Sequence, residues 1–182
     1  WGGNERGRHR MNRSAAKAAT RRLTILAVDL GTQSLRVTAV ASDGEVVWRW
    51  SRPVSTRTAG DVSEQDCADW ADLLDTALAE AGRAGLRPDA VAAAGPLAGW
   101  VPLDGQGEIL GPAVMYFDGR SAEDLAAIAA RVADRAELPR PTIADPLPQL
   151  LRLRRQTPQI AARTRLLLDA TGWLVFRLTG VA

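Results

Sequence analysis

Residues 29–36 read Asp-Leu-Gly-Thr-Gln-Ser-Leu-Arg, and they concentrate the groups that a phosphate-bearing ligand needs. An apolar run ends at Asp29, which puts its carboxylate at a sheet edge that solvent or a metal ion reaches. Gly31 lets the chain turn tightly and brings backbone close to a ligand. Thr32 and Ser34 add hydroxyls, and the turn offers backbone N–H groups to phosphate oxygens. Arg36 neutralises phosphate charge where its side chain faces the turn. Asp29 is the candidate for Mg2+, held through water because Mg2+ gives up its waters reluctantly. A plain hairpin with turn-type residues has the same letters. The reading therefore carries two requirements: the bend must open on a groove, and Asp29 must not be sealed in by a neighbouring cation.

The flanking elements suit that placement. Leu23 to Asp29 is a short apolar run that predicts a buried strand, and Ser34 to Ala41 alternates and is rich in β-branched residues. Ser42-Asp43-Gly44 signals a turn before a third strand, Glu45 to Trp50, so the three strands form an antiparallel meander. Trp70, Leu73, Leu74, Ala77, Leu78 and Ala81 follow helical spacing, with Ser63 or Asp66 as cap and an end near Gly82–Gly85. Asp89 to Ala94 predicts a fourth, buried strand parallel to the first, because a helix has carried the chain across. Val101–Asp104 and Glu108–Met115 flank a D-G-Q-G hairpin turn. Ser121 opens another helix, with Asp124 three residues on as in a capping box and Leu125, Ile128, Ala129, Val132 and Ala136 as its buried stripe. Pro139, Pro141, Pro146 and Pro148 mark a loop. Leu147 to Gly180 predicts two or three short helices and one apolar segment, Leu166–Leu168.

Composition narrows the function classes. The 182 residues are 46% hydrophobic and 24% charged, an ordinary globular mixture. One Cys (Cys67) rules out an internal disulfide framework and a Cys-rich zinc site, and the single His (His9) argues against a Ser-His-Asp centre. The net charge of +2 is uneven. Residues 1–22 carry six Arg and Lys17 against Glu5 alone, so the remainder is mildly acidic and makes no case for nucleic-acid binding. That basic stretch is expected to be a disordered tail, without the apolar core of a secretory signal. The longest apolar stretch, Ala90 to Leu103, is broken by Gly95, Pro96, Gly99 and Pro102 and is too short to span a bilayer. The expectation is a cytoplasmic protein with no membrane partner.

Other conspicuous residues have plain readings. Of the six Trp, most are expected in the core, and Trp100 is the one to examine as a ligand contact. The R-L-R-R run at 152–155 could bind an anion, but a solvated helix face is the ordinary outcome. Cys67 sits near a helix start without a base partner and is expected to be inert.

Residues 24–180 resemble the N-terminal domain of the FGGY carbohydrate kinases, nearest to the xylulokinase-like members. The resemblance rests on D-L-G-T-Q-S-L-R at 29–36, E-Q-D at 64–66 with Trp70, L-D-G-Q-G-E-I-L-G-P-A at 103–113, Y-F-D-G-R at 116–120 and F-R-L-T-G at 176–180, in that order. It departs at 95–99, where G-P-L-A-G stands in place of the usual G-Q-M-H-G, so no sugar contact is carried onto those residues. Tyr116 replaces a Trp, and in P-Q-L-L-R-L at 148–153 Gln149 and Arg152 replace the customary Lys and Trp.

The resemblance implies an α/β domain of the ribonuclease-H-like, actin-like ATPase kind. Its mixed sheet has an antiparallel meander plus parallel strands and flanking helices, and a second similar domain is missing from the chain. It implies ATP and Mg2+ in a cleft, with phosphoryl transfer to a sugar or polyol hydroxyl. Gly31, Thr32, Gln33, Ser34 and Arg36 then contact ATP phosphates, Asp29 organises Mg2+, and Asp118 and Arg120 help shape the sugar site. The general base is expected beyond Ala182, so the chain should hold half of a kinase site, need its C-terminal domain and be inactive alone; an oligomer stays open. The alternative is a non-catalytic fragment or binding module that keeps the fold without turnover. An actin-like structural protein would leave E-Q-D, Y-F-D-G-R and F-R-L-T-G unexplained.

Overall fold

A computed structural model describes residues 22–96 and 99–181. The basic tail, apart from Arg22, and Leu97 and Ala98 of the 95–99 turn lie outside the described residues. The meander forms as its alternation predicts: β1 (Thr24–Leu30), β2 (Ser34–Ala41) and β3 (Val46–Pro53) pair antiparallel in turn. Leu26, Val28 and Leu30 of β1 and Leu35, Val37 and Ala39 of β2 are buried on one face. Against that face lies α1 (Cys67–Arg83), whose Trp70, Leu74, Ala77 and Ala81 make a buried stripe at helical spacing. Asp66 is its cap, accepting the Ala68 N–H at 2.8 Å.

After α1, β6 (Ala90–Ala94) runs parallel to β1, giving a four-stranded sheet in the order β3-β2-β1-β6. The expected burial of this strand is not found: β6 is largely exposed, with Val91 at 47%. It has β1 on one side and, among the described residues, no strand on the other.

A second sheet is ordered β4-β5-β8-β7-β9. The hairpin β4 (Arg57–Ala59) and β5 (Val62–Gln65) has no apolar alternation to announce it. The D-G-Q-G hairpin joins β7 (Gly99–Leu103) to β8 (Ala113–Met115). Asp104 caps that turn by accepting the Gln106 and Glu108 N–H groups, each at 3.0 Å. Gly107 is needed there twice over: its φ is +85°, and a Cβ would meet Phe176 at 2.6 Å. The segment Leu166–Leu168 is a strand, β9, antiparallel to β7.

Two helical expectations need correction. In α2 (Ala122–Arg131) Ser121 makes no capping bond; its hydroxyl instead accepts from Gln149 at 3.0 Å, and Asp124 is paired with Arg155 at 2.6 Å. The only buried residue of that helix is Asp124, so the apolar stripe is no more than half-covered. Pro146 and Pro148 do not mark a loop; Pro146 opens α3 (Pro146–Gln156), where a missing N–H costs nothing. Helices α4 (Pro158–Arg163) and α5 (Ala170–Thr179) follow. Trp173 of α5 packs edge-on to Trp70 with ring centroids 5.4 Å apart, joining α1 and α5 over the first sheet. Core packing of Trp70 and Trp50 is therefore as expected. No helix among the described residues is long and apolar enough to cross a membrane.

Candidate active-site groove

Because β1 and β6 are parallel and in register at Asp29 and Ala94, their carboxyl ends come out side by side. That is where open α/β sheets place their ligands. Asp29, Leu30, Gly31 and Thr32 leave β1 there, Gly95 and Pro96 leave β6, and Tyr116 and Ala144 complete a groove of about 450 Å3. Gly95 makes this possible: a Cβ would lie 2.9 Å from Ala170 Cβ and 3.0 Å from the Thr171 nitrogen at the start of α5. The first requirement on the bend is met, since it opens on the groove.

The bend is held from behind. The Thr32 carbonyl accepts Gln65 Nε2 at 2.9 Å and the Thr56 hydroxyl at 3.4 Å, and the Gln33 carbonyl accepts the Val54 N–H at 2.9 Å. Gln65 is itself buried. Its Nε2 also reaches Thr56 Oγ1 at 2.8 Å, and its Oε1 accepts the Trp70 indole N–H at 2.9 Å. With both carbonyls engaged on the protein side, the Thr32 and Gln33 N–H groups have no partner among the described residues. Free N–H groups in a tight bend form an anion cradle.

Arg36 faces the turn, as phosphate neutralisation requires. Its Nη2 lies 2.8 Å from Asp29 Oδ2. The pair is open to solvent, with the Asp29 side chain 47% and the Arg36 side chain 57% exposed. Asp29 is thus paired but not sealed, and Arg36 can be drawn away by a stronger anion at small cost, since exposed pairs are worth ~1 kcal/mol or less.

The remaining expected site residues are distributed differently. Gly31 and Thr32 line the groove, whereas Gln33 and Ser34 belong to the bend without lining it. Asp118 has no exposed surface. It accepts the Ser63 N–H at 2.7 Å and the Arg120 N–H at 3.1 Å, and pairs with the Arg120 guanidinium at 2.7 Å. Arg120 turns away from the groove and bonds Glu64 at 2.5 Å. Burial works against its charge, but Asp118 and Glu64 outweigh it and raise its affinity for the proton. The Y-F-D-G-R element therefore ties β5 to the turn that presents Tyr116, two residues before Asp118. Trp100, the tryptophan to examine as a ligand contact, gives its indole N–H to the Ala144 carbonyl at 2.8 Å and lies behind the groove wall. Cys67 is buried, and burial pushes its thiol up to about 12, consistent with an inert group. Among the described residues there is no cluster of three or more His, Cys, Asp or Glu able to hold a metal by themselves.

Residues 24–182 match the model of the FGGY family of carbohydrate kinases, N-terminal domain. The chain belongs to that family. Xylulose kinase of Escherichia coli is 30% identical over 162 residues, which is 85% of this chain and 33% of that protein. Xylulose kinase of Streptomyces coelicolor is 37% identical over 99 residues, 54% of this chain and 20% of that protein. The crystal structure of xylulose kinase from Rhodospirillum rubrum superposes with a TM-score of 0.78 at 27% identity, covering 87% of this chain and 35% of that one. The fold is therefore that of the actin-like FGGY kinases, of which the chain spans one domain. It covers about a third of the length of the E. coli relative.

Within this FGGY domain, sequence reasoning missed Gln65, Tyr116 and Ala144 as parts of the site. Gln65 had a signal: an amide five residues before a Trp at a helix start is placed to meet the indole N–H. Ala144 had none, because its place follows from the path of the Pro-rich connection alone.

Proposed function

We propose that the protein containing this domain transfers the terminal phosphoryl group of ATP to a hydroxyl of a sugar or polyol. One observation supports this most: a bend whose carbonyls are tied back by Gln65, Thr56 and Val54, leaving the Thr32 and Gln33 N–H groups free beside Asp29. In this reading Gly31, Thr32, Gln33 and Ser34 cradle the phosphates, and Arg36 leaves Asp29 to neutralise their charge. Asp29 suits Mg2+ on chemical grounds. A single carboxylate together with phosphate oxygens and water is the usual donor set for that ion, and the Asp29 side chain is 47% exposed. Bound there, the ion would offset charge on the transferring group.

Tyr116 supplies an aromatic wall for the sugar, and Asp118 and Arg120 position it from behind rather than touching substrate. Asp29 is the only carboxylate among the residues that line the groove. The group that takes the hydroxyl proton is accordingly assigned to a part of the protein other than residues 22–181. Xylulose is the sugar in the names of the relatives. The departure at 95–99 changes the turn that would select it, so the substrate is proposed by class only.

The test is ADP formation by the intact protein with Mg-ATP and a panel of pentoses, hexoses and polyols. Sugar-stimulated ADP release supports the reading, and ATP binding with no stimulation by any of them favours a binding module without turnover.

A further inference from the structure

In the R-L-R-R run of α3, Arg154 and Arg155 are exposed as expected, but Arg152 turns inward. Arg152 is 5% exposed. Of its five N–H donors, Nε meets Gln149 Oε1 at 3.1 Å and Nη1 meets Gln156 Oε1 at 3.3 Å. Both partners are neutral amides, and no carboxylate lies within ion-pair distance of it among the described residues. Neighbouring cations are matched: Arg120 by Asp118 and Glu64, Arg155 by Asp124 and Glu123, and Arg57 by Glu64. Burial, with repulsion from Arg120, lowers the hold of Arg152 on its proton, against a longer-range attraction from Asp118, Glu64 and Asp124. A buried guanidinium with no carboxylate paired directly to it is costly unless something else supplies the contact.

Beside it lies a cavity of about 100 Å3, distinct from the groove. Arg152, Arg120 and Glu64 form its charged end, while Pro102, Val114 and Leu167 are among its apolar walls. Both Glu64 oxygens are already taken by Arg57 and Arg120, and the Arg120 charge is matched by Asp118 and Glu64, so the guanidinium at that end with no carboxylate paired to it is that of Arg152. We propose that this cavity is a binding site for a short aliphatic monocarboxylate of the size of acetate, held through the Arg152 guanidinium. Size and polarity both select that class. A dry cavity of roughly 150 Å3 takes the six carbons of benzene, so 100 Å3 holds about four heavy atoms. A phosphate dianion would leave the apolar walls uncovered and bring two charges to one open cation. A carboxylate matches the planar donor fork, and its methyl end matches the proline and leucine walls. Trp100 also lines this cavity, and its indole bond to Ala144 makes the wall shared with the groove.

The test is a titration of the intact protein with sodium acetate, followed by ligand-observed NMR, with the neutral isostere acetamide as control. Arg152→Met keeps an unbranched apolar stem and removes the charge, and losing a buried cation that no carboxylate pairs directly should not unfold the protein. Saturable acetate binding is expected, weakened about 10- to 100-fold in Arg152→Met, the worth of one charge-assisted hydrogen bond, and weakened likewise for acetamide. Should that variant fail to fold, Arg152→Lys replaces it; loss of the fork should weaken acetate about tenfold. No saturable binding, equal affinity in the variant, or equal affinity for acetamide overturns the proposal.

Discussion

Replacing Gln65 with Met removes the link between the phosphate bend and the helical layer while nearly conserving volume. The structure sets the size of the effect. The Trp70 indole N–H, fully buried, loses its acceptor at 2.9 Å, and orphaning such a donor costs about 1–3 kcal/mol. The Thr32 carbonyl loses its Gln65 donor and keeps only the 3.4 Å contact to Thr56, which adds about 1 kcal/mol. A destabilisation of about 2–4 kcal/mol is therefore expected, read as a lower urea midpoint at unchanged slope. A double-mutant cycle isolates the indole bond. Trp70→Phe should cost less in the Gln65→Met background than in the wild type, because there is no longer an orphaned N–H to remove, with a coupling of about 1–2 kcal/mol. Nucleotide affinity should fall with stability, since the bend carbonyls are no longer tied back. Gln65→Met within about 0.5 kcal/mol of wild type, or a cycle with no coupling, would refute this reasoning.

Further outcomes follow from the same geometry. Asp29→Ala in the intact protein should lower turnover far more than stability, because its exposed pair with Arg36 is worth ~1 kcal/mol or less; parallel unfolding and rate measurements check this, and equal losses would make Asp29 structural. The Cys67 thiol, raised to about 12 by burial, should resist thiol reagents at mild alkaline pH until the protein unfolds. Since its folded value lies above the unfolded one near 8.5, the stability it contributes is complete below that pH and is lost as pH rises toward 12. Cys67→Ala should flatten that alkaline decline. The purified 182-residue chain should form no sugar phosphate from ATP, because its groove presents one carboxylate; sensitive product detection decides it.

The meander, α1 and the parallel return were legible because each is announced locally: alternation in 34–41, the Asp66 cap and the 70-74-77-81 stripe. The burial of β6 was not. An apolar run such as Ala90–Ala94 records that some face is meant to be covered, without recording what covers it. The α2 stripe failed for the related reason that Asp124 and Ser121 had partners in α3, thirty residues on, which outweigh a local capping box. That Asp29, Gly31 and Thr32 come to a groove, with Arg36 beside Asp29, was readable from strand-end position and residue type. Asp118 and Arg120 were assigned to the sugar site by resemblance, and their pairing with Ser63 and Glu64 depends on contacts more than fifty residues apart that no local pattern announces. Arg152 was misread because an Arg-rich helix ordinarily faces water, and nothing in the run reveals which Arg turns inward.

The central claim is that the bend after β1 grips nucleotide phosphate through its own backbone. The direct measurement is the response of the Thr32 and Gln33 amide resonances of the intact protein to Mg-ATP. The account predicts saturable downfield shifts of those two N–H protons, with the Gly44 turn at the far end of the sheet unmoved. Saturable ATP binding that leaves both amides unchanged would contradict it.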